Sequence, residues 1–282
     1  MITVDPADIS TSAFHSYMLG AVAPRPIAFA STVDEEGIPN LAPFSFYNAY
    51  SSNPPILVFS ANRRVRDNST KDTYANIKAT GDVVINAVSY NIVRQMALAS
   101  VEYGASINEF EKAGLTPLAS LKVKPYRVAE APAQFECKVK DVIELGQEGG
   151  AGNLFICEIV LAHIHKAVLD EKGHIDVHKI DLCGRLGGSK YVRASGAAIF
   201  DLPQPPERIV IGMDQLPQQI KYSKVLTGNH LAMLANVTAI PVKDITFQTG
   251  AMADTEALHL SIRQLLEEGK VDEAWQTILH AL

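Results

Sequence analysis

The sequence predicts a β-rich α+β fold in which about six strands form a closed or partly closed antiparallel barrel. The first observation is that strand-like segments follow one another in pairs joined by short turns, as antiparallel hairpins do. The second is that helix-like segments are inserted between these pairs. The third is a change of composition after Phe200, beyond which the apolar patterns are helical.

The composition excludes several classes of protein. The 282 residues include 47% hydrophobic and 20% charged side chains, enough for a sizeable core and unlike a disordered chain. The net charge of -6 argues against nucleic acid as the main partner, because phosphate binding needs a basic surface. The first residues do not resemble a signal peptide, and no apolar run is long enough to span a bilayer. We therefore expect a cytoplasmic protein.

The amino-terminal part predicts a hairpin followed by a loop. Prolines hold the chain extended at 24–26, just before the first strand. The loop over Phe44–Asn53 is polar and aromatic, and Pro54–Pro55 closes it. A hairpin with such a loop is a good place to hold a planar ligand. The predicted elements are a short helix over Ser16–Ala21, strands over Ile27–Val33 and from Ile38, and a turn at Asp34–Gly37 between them.

The middle of the chain alternates strands with short helices. Residues 55–61 are apolar on both faces, which predicts a central strand. A polar, basic loop follows, after which Asp72 or Thr73 can cap a short helix that ends at Gly81. The other predictions here are strands over 82–89, 134–145 and 154–165, helices over 90–100 and 107–113, and a glycine-rich turn at 146–152.

The residues after Phe200 predict a helical extension. The segment DLPQPPE has the composition of a linker, so we expect one domain over residues 1–200 and another over 201–282. Apolar residues lie on one face of each later segment, as in packed amphipathic helices. The predictions are helices over 229–239, from a cap at Asp254 to Gly269, and from Asp272 onwards, the last carrying Trp275.

Cysteines and histidines form no recognisable metal site in the sequence. The cysteines are odd in number and far apart, which is typical of core residues rather than of a disulfide scaffold or zinc site: Cys137, Cys157 and Cys183. One histidine pair shares a strand face, with two more histidines nearby: His163, His165, His174 and His178. No acidic residue or cysteine completes a familiar ligand pattern, so we expect no metal.

Five segments occur in an order and spacing that resemble the flavin reductase-like family of FMN-binding split barrels, which includes flavoredoxins. The resemblance covers about residues 15–195. It implies a six-stranded antiparallel split barrel with inserted helices, and a homodimer with FMN near the subunit interface. The segments are PRPIAFASTVDEEGIPNLAPFSFYNAYSSNPP, KDTYANIKATGDVVIN, AGLTP, APAQFECKV and RLGGSKYVR.

The resemblance also implies which residues hold FMN. A flavin ring needs backbone donors and short polar side chains at its edge, and its phosphate needs helix-start amides and cations. The ring would be held by Ser31, Thr32, Asn40, Ala42, Ser45, Phe46 and Asn48. The phosphate would be held by Lys71, Asp72 and Thr73 with Arg63 or Arg64, where Asp72 caps the helix or orients Lys71.

Each segment has a plainer interpretation when it is taken alone. Phe44–Asn53 could be a surface loop with a few core aromatics, and Lys71–Thr73 only a helix cap. The glycines of RLGGSKY could form a tight turn, or let the backbone approach the flavin or a partner subunit with Tyr191 as a face. Arg25 could reach the flavin or a nicotinamide phosphate, or be an exposed charge. The ordered conjunction of motifs favours binding.

The functional expectation is an NAD(P)H-dependent flavin reductase that passes hydride from NADH or NADPH to FMN without a catalytic side chain. No dinucleotide-binding fingerprint is present, so the donor would have to enter the flavin cleft. One alternative is an FMN-binding electron carrier or sensor reduced by a protein partner. Another is a split-barrel oxidase or oxygenase that acts on a small molecule. The helical extension could dock a partner, or serve as a lid or dimer-bracing arm.

Overall fold

A computed structural model describes residues 1–104, 107–202, 209–250 and 254–282. The chain divides into two compact units, Met1–Phe200 and Asp201–Leu282. Most of the predicted linker DLPQPPE, from residue 203 onwards, lies outside the described residues.

The first unit is built on an open, antiparallel, seven-stranded sheet rather than on six strands. The strands of the chain are β1 (Ala28–Val33), β2 (Pro39–Phe44), β3 (Tyr47–Ser52), β4 (Pro55–Ser60), β5 (Asp82–Asn86), β6 (Pro117–Leu118), β7 (Arg127–Val128), β8 (Ala133–Glu144), β9 (Asn153–Ile164), β10 (Cys183–Arg185) and β11 (Tyr191–Arg193). The order in the sheet is β2-β1-β5-β8-β9-β4-β3. The predicted β1–β2 and β8–β9 hairpins are confirmed. Short ribbons form from β6 with β7 and from β10 with β11.

The additional strand is β3, which replaces most of the loop predicted over Phe44–Asn53. It pairs with β4, and only Ser45 and Phe46 separate it from β2. Tyr47 and Tyr50 favour extended backbone, and the small polar residues around them tolerate an exposed edge strand. The prediction of a loop was wrong because the polar composition of this segment reflects its exposure at the sheet edge.

Hydrophobic residues pack on both faces of the sheet. Every residue of β1 is buried, with Phe29 in one core cluster and its neighbours Ala28 and Ala30 in another. Successive side chains of a strand point to opposite faces, so these clusters cover the two sides of β1. Phe59 and Phe155 pack in the second cluster with ring centroids 4.8 Å apart. The strand that leads to the site is therefore fixed from both sides.

The helices of the first unit are α1 (Thr11–Ala21), α2 (Asp72–Thr80), α3 (Val93–Leu98), α4 (Glu109–Ala113) and α5 (Val177–Ile180). Helix α1 begins before the predicted Ser16, because the Ser10 hydroxyl accepts a hydrogen bond from the Ala13 amide at 3.2 Å and caps it. Helix α2 ends at Gly81, as predicted, with φ of 71°. Its N-cap is Lys71, so the prediction of Asp72 or Thr73 as the cap was wrong by one or two positions.

The second unit contains α6 (Gln218–Lys221), α7 (Gly228–Ala235), α8 (Thr255–Glu267) and α9 (Val271–Ala281). The predicted cap is confirmed, since the Asp254 carboxylate accepts from the Ala257 amide at 2.8 Å. Helix α9 begins before the predicted Asp272, which lies in its first turn. Trp275 is fully buried, and its indole N–H donates to the Leu234 carbonyl at 3.0 Å. Within the described ranges, no helix combines the length and apolar character needed to cross a membrane.

Candidate functional site

Two neighbouring cavities open on the first unit, and both are lined by residues of β2 or of the turn after it. The α2 cavity, of about 80 Å³, lies between β2, the start of α2 and the segment 99–103. The β10–β11 cavity, of about 280 Å³, lies between the end of β2 and the β10–β11 hairpin. Pro43, Phe44 and Ser100 line both cavities, so the two are adjacent. The volume of the β10–β11 cavity is just below that of typical small-molecule sites, which is roughly 300–1,000 Å³.

The first turn of α2 faces the α2 cavity without a capping side chain. Among the described residues, no side chain hydrogen-bonds to the amides of this turn as a cap, and Lys71 occupies the N-cap position. The first amides of a helix have no partner within the helix and carry its positive dipole end. The Lys71 and Arg64 side chains line the same cavity. This arrangement is able to bind an anion.

A polar network fixes the cavity wall. The Asn40 amide on β2 donates to the Thr73 hydroxyl at 3.0 Å and to the Thr32 hydroxyl at 3.2 Å. The Asn76 amide on α2 donates to the same Thr32 hydroxyl at 3.0 Å. These contacts join β1, β2 and α2, so the Asn40 and Thr73 side chains have defined positions.

Glu102 forms ion pairs with three cationic side chains at or near the α2 cavity. Its carboxylate lies 3.0 Å from Arg64 Nε, 2.7 Å from an Arg66 guanidinium nitrogen and 2.9 Å from Lys71 Nζ. The hydrogen bonds from Lys71 and Arg64, together with the nearby positive charges, lower the pKa of Glu102 to about 2. The carboxylate is therefore ionised at neutral pH.

Glu109 is the buried acid of the α2 cavity. Its Oε2 accepts a hydrogen bond from the Leu41 amide of β2 at 3.0 Å. Burial raises the pKa of Glu109, more than this hydrogen bond lowers it. The contact satisfies an outward-pointing amide of the edge strand and holds α4 against β2.

The β10–β11 cavity combines a cation with an aromatic ring. The Arg185 guanidinium lies over the Tyr191 ring, 4.6 Å from its centroid. It donates to the Gly188 carbonyl at 2.6 Å and also to the Tyr191 hydroxyl. The tight turn considered for RLGGSKY is present, and Gly188 has φ of 60°, which favours glycine.

Arg25 is buried, so its interpretation as an exposed charge was wrong. Its guanidinium donates to the Leu19 carbonyl at 2.9 Å, to the Leu186 carbonyl at 3.0 Å and to the Val22 carbonyl. Burial, followed by the charge of Arg185, lowers the pKa of Arg25. Arg25 lines the β10–β11 cavity, but its donors hold the end of α1 and the β10–β11 turn in place.

The structure brings most of the predicted FMN residues together. Five of the predicted residues line the α2 cavity: Asn40, Ala42, Lys71, Asp72 and Thr73. Ser45 lines the neighbouring β10–β11 cavity. Ser31 and Thr32 lie on β1 and are fully buried, and Thr32 reaches the site through Asn40. The predicted ring residues of β2 and phosphate residues of α2 thus share one cavity wall.

Besides Ser31, three predicted residues lie away from both cavities. The Phe46 ring lines a separate cavity with His15, at a centroid distance of 6.1 Å. Asn48 is exposed on β3. The Arg63 side chain donates to Asn68 at 2.7 and 2.8 Å, whereas Arg64, the other arginine considered, lines the α2 cavity.

Sequence reasoning missed Glu102, Glu109 and Arg185. The first lies in an irregular segment far from the motifs, and no spacing in the sequence links it to Lys71. The glutamate at the start of α4 resembles any first-turn acid. Arg185 belongs to the RLGGSKYVR segment, so the motif carries a signal for it, although the glycines and Tyr191 are its more conspicuous residues.

The histidine pair considered as a metal site has an acidic neighbour after all. His163 Nε2 lies 2.7 Å from Glu136 on the paired strand β8. The His165 ring instead accepts from the Ala167 amide at 3.1 Å. Over the ranges that the structure covers, no group of three or more potential metal ligands is found.

Comparisons with known proteins agree on the first unit. Residues 19–178, more than half of the chain, match the family model described as "Flavin reductase like domain". An uncharacterized protein of Aquifex aeolicus is 39% identical over 182 residues, 64% of this chain and 90% of its own. Nitrilotriacetate monooxygenase component B from Bacillus cereus has a TM-score of 0.67 at 27% identity, covering 72% of this chain and 98% of its own. The 2-nitrobenzoate 2-nitroreductase NbaA of Pseudomonas fluorescens has a TM-score of 0.63 at 27% identity, and the match covers 72% of this chain and 96% of its own.

Proposed function

The chain belongs to the flavin reductase-like family of split-barrel proteins, and on that premise we propose that it binds FMN and passes hydride to it from NADH or NADPH. The observation that carries the proposal is the uncapped start of α2, where Lys71 and Arg64 line a cavity next to a larger one. An anionic group attached to a planar ring matches a cationic helix start that lies beside the apolar wall of β2.

The phosphate of FMN would be held at the start of α2. Lys71 and Arg64 supply positive charge, and the first-turn amides, with the Thr73 hydroxyl, supply donors. Asp72 lies in the first turn of α2, where its negative charge interacts favourably with the positive end of the helix dipole. We assign it no contact with the phosphate.

The flavin ring would lie against β2 and the turn that follows it. The Asn40 side-chain oxygen, the small Ala42 side chain and the Ser45 hydroxyl provide a polar edge with little steric bulk, since the Asn40 N–H groups already donate to Thr32 and Thr73. Pro43 and Phe44 line both cavities and provide apolar surface between them. This polar edge and the apolar surface beside it fit the edge and the face of a flavin ring.

When bound, FMN supplies the ring that accepts hydride, and this chemistry needs little acid or base help from side chains. The task of the chain is to align two rings and exclude water. We assign the nicotinamide donor to the β10–β11 cavity, since Arg185 offers charge for its phosphates and Tyr191 offers a face. We also propose a homodimer, as the family resemblance implies.

Flavin titration of the purified full-length protein tests the proposal. We expect FMN fluorescence to be quenched on binding, and NADH or NADPH to bleach the flavin absorbance under anaerobic conditions. Lys71→Met should weaken FMN binding by about tenfold, with a much smaller effect on riboflavin, because it removes a phosphate cation. Lys78→Met, in the last turn of α2, is the matched control.

The outcomes separate the alternatives. Failure to bind FMN or riboflavin contradicts the proposal as a whole. If dithionite bleaches the bound flavin and neither nicotinamide does, the reductase part is wrong, and the protein is an electron carrier reduced by another protein. Sedimentation of the same sample tests the homodimer.

A further inference from the structure

The cations of the proposed phosphate site already have an anionic partner within the chain. Arg64 and Lys71, which line the α2 cavity, both contact Glu102, at 3.0 and 2.9 Å. Arg66 contacts its other carboxylate oxygen at 2.7 Å. A carboxylate and a phosphate present similar oxygen acceptors to such cations, so a bound phosphate would share or displace these contacts.

We infer that Glu102 competes with the flavin phosphate for Lys71 and Arg64, so that FMN is bound weakly enough to exchange as a substrate. This inference rests on the proposed function.

The charge balance of the cavity supports competition. Its charged lining residues are the cations Arg64 and Lys71 and the acids Asp72, Glu102 and Glu109. A flavin phosphate adds about two negative charges at neutral pH. With as many acids as this in the lining, the cavity offers little net attraction to a dianion. Removing the charge of Glu102 shifts the balance in favour of the phosphate.

The position of Glu102 allows it to give up its contacts. It lies in the stretch 99–104 after α3, outside any helix or strand, and its side chain is 38% exposed. An exposed carboxylate recovers water when its ion pairs break, so a phosphate can displace it, and the modest cost of doing so lowers the affinity for FMN. A retained cofactor would instead be favoured by cations free of an internal anion.

An opposite role for Glu102 gives an opposite result. If Glu102 served to orient Lys71 and Arg64 toward the phosphate, its removal would weaken FMN binding. Competition predicts tighter binding, and selectively for the phosphorylated flavin. Comparing FMN with riboflavin therefore isolates the phosphate end of the site.

The test is a pair of fluorescence titrations, with FMN and with riboflavin, on full-length wild-type protein and on Glu102→Gln. We expect the dissociation constant for FMN to fall about tenfold, while that for riboflavin stays within about twofold. Rapid dilution of the FMN complex should show slower release from the variant. Glu36→Gln, in the β1–β2 turn, removes an equal charge from a residue that lines neither cavity and should change nothing.

Glu102→Ala gives a second measurement, since it also removes the acceptor atoms, and we expect the same direction. Unchanged or weaker FMN binding by both variants, with wild-type FMN binding intact, overturns the inference and leaves the proposed function standing. If the wild type binds neither flavin, the proposed function fails and the inference fails with it.

Discussion

Glu136 is a fully buried carboxylate on β8 whose ionised form the fold stabilises. Its oxygens accept from the Leu121 amide at 2.9 Å, the Lys122 amide at 2.6 Å and His163 Nε2 at 2.7 Å. Burial raises the pKa of Glu136, but the hydrogen bonds from Leu121, His163 and Lys122 outweigh it and leave the pKa below its ordinary value. Glu136 thereby links residues 121–122 to the β8–β9 hairpin.

A lowered carboxylate pKa stabilises the protein above the ordinary pKa of the unfolded chain, about 4.3, and that stability is lost as pH falls. We expect Glu136→Gln to lower the free energy of unfolding by about 2 kcal/mol at pH 7, because an amide N–H₂ would face donors. The deficit should shrink as pH falls below about 5. Urea unfolding between pH 7 and pH 3 measures it. Glu171→Gln, exposed on a turn, is the control, and a pH-independent deficit would contradict this account.

Single residues were predictable only where a motif surrounded them. Lys71, Thr73 and Asn40 belong to segments of the family resemblance, and the structure places them on one cavity wall. Glu102 could not be predicted, because its contacts are with residues more than thirty positions away. The burial of Arg25 could not be predicted, since its guanidinium donates mainly to backbone carbonyls, which carry no sequence signal.

At the scale of elements, the length of α2 depends on the residue at its end. Gly81 has φ of 71°, and its amide donates to the Ile77 carbonyl. A side chain at this backbone conformation is strained even where space is free. We expect Gly81→Ala to lower the free energy of unfolding by about 1–2 kcal/mol.

Gly20 provides the matched comparison for that prediction. It lies in α1, and a Cβ there would meet nothing within 4 Å. Gly20→Ala should leave stability unchanged or raise it by up to about 0.5 kcal/mol, since alanine favours the helix. Thermal unfolding of both variants gives the comparison. Equal losses in both would contradict the role assigned to the left-handed conformation.

The sequence predicted elements well where hydrophobic periodicity was strong. The β8–β9 hairpin was found because apolar and charged residues alternate along β8 in the sequence, although burial does not follow this alternation and Glu136 is fully buried. Strand β3 was missed, because it is exposed on an edge and its polar residues resemble a loop. The start of α1 was missed because none of its residues is buried, so no apolar stripe marks it.

At the scale of the whole molecule, each compact unit has its own hydrophobic core. Residues of both cavities lie within Met1–Phe200. In the second unit, Ile262, Leu266 and Trp275 pack in a separate cluster. Residues 201–282 also lie outside the segment 19–178 that matches the family model.

We therefore expect a chain that ends after Phe200 to fold and to bind FMN within about twofold of the full-length protein, because the lining residues and their supporting core remain. Circular dichroism and FMN titration check this. Loss of flavin binding or of a dimer would instead identify the helical extension as a brace. Intact flavin turnover with loss of a protein contact would identify it as a docking arm.

The distribution of two rare residue types has a practical consequence. All three cysteines lie in the first unit and are buried, and burial raises the pKa of the Cys137 thiol to about 12. The only tryptophan is in the second unit. Alkylation of thiols therefore reports opening of the first unit, while indole emission reports loosening of the helices of the second. Each compact unit carries its own spectroscopic or chemical signal, so unfolding of the two units can be followed separately without an introduced label.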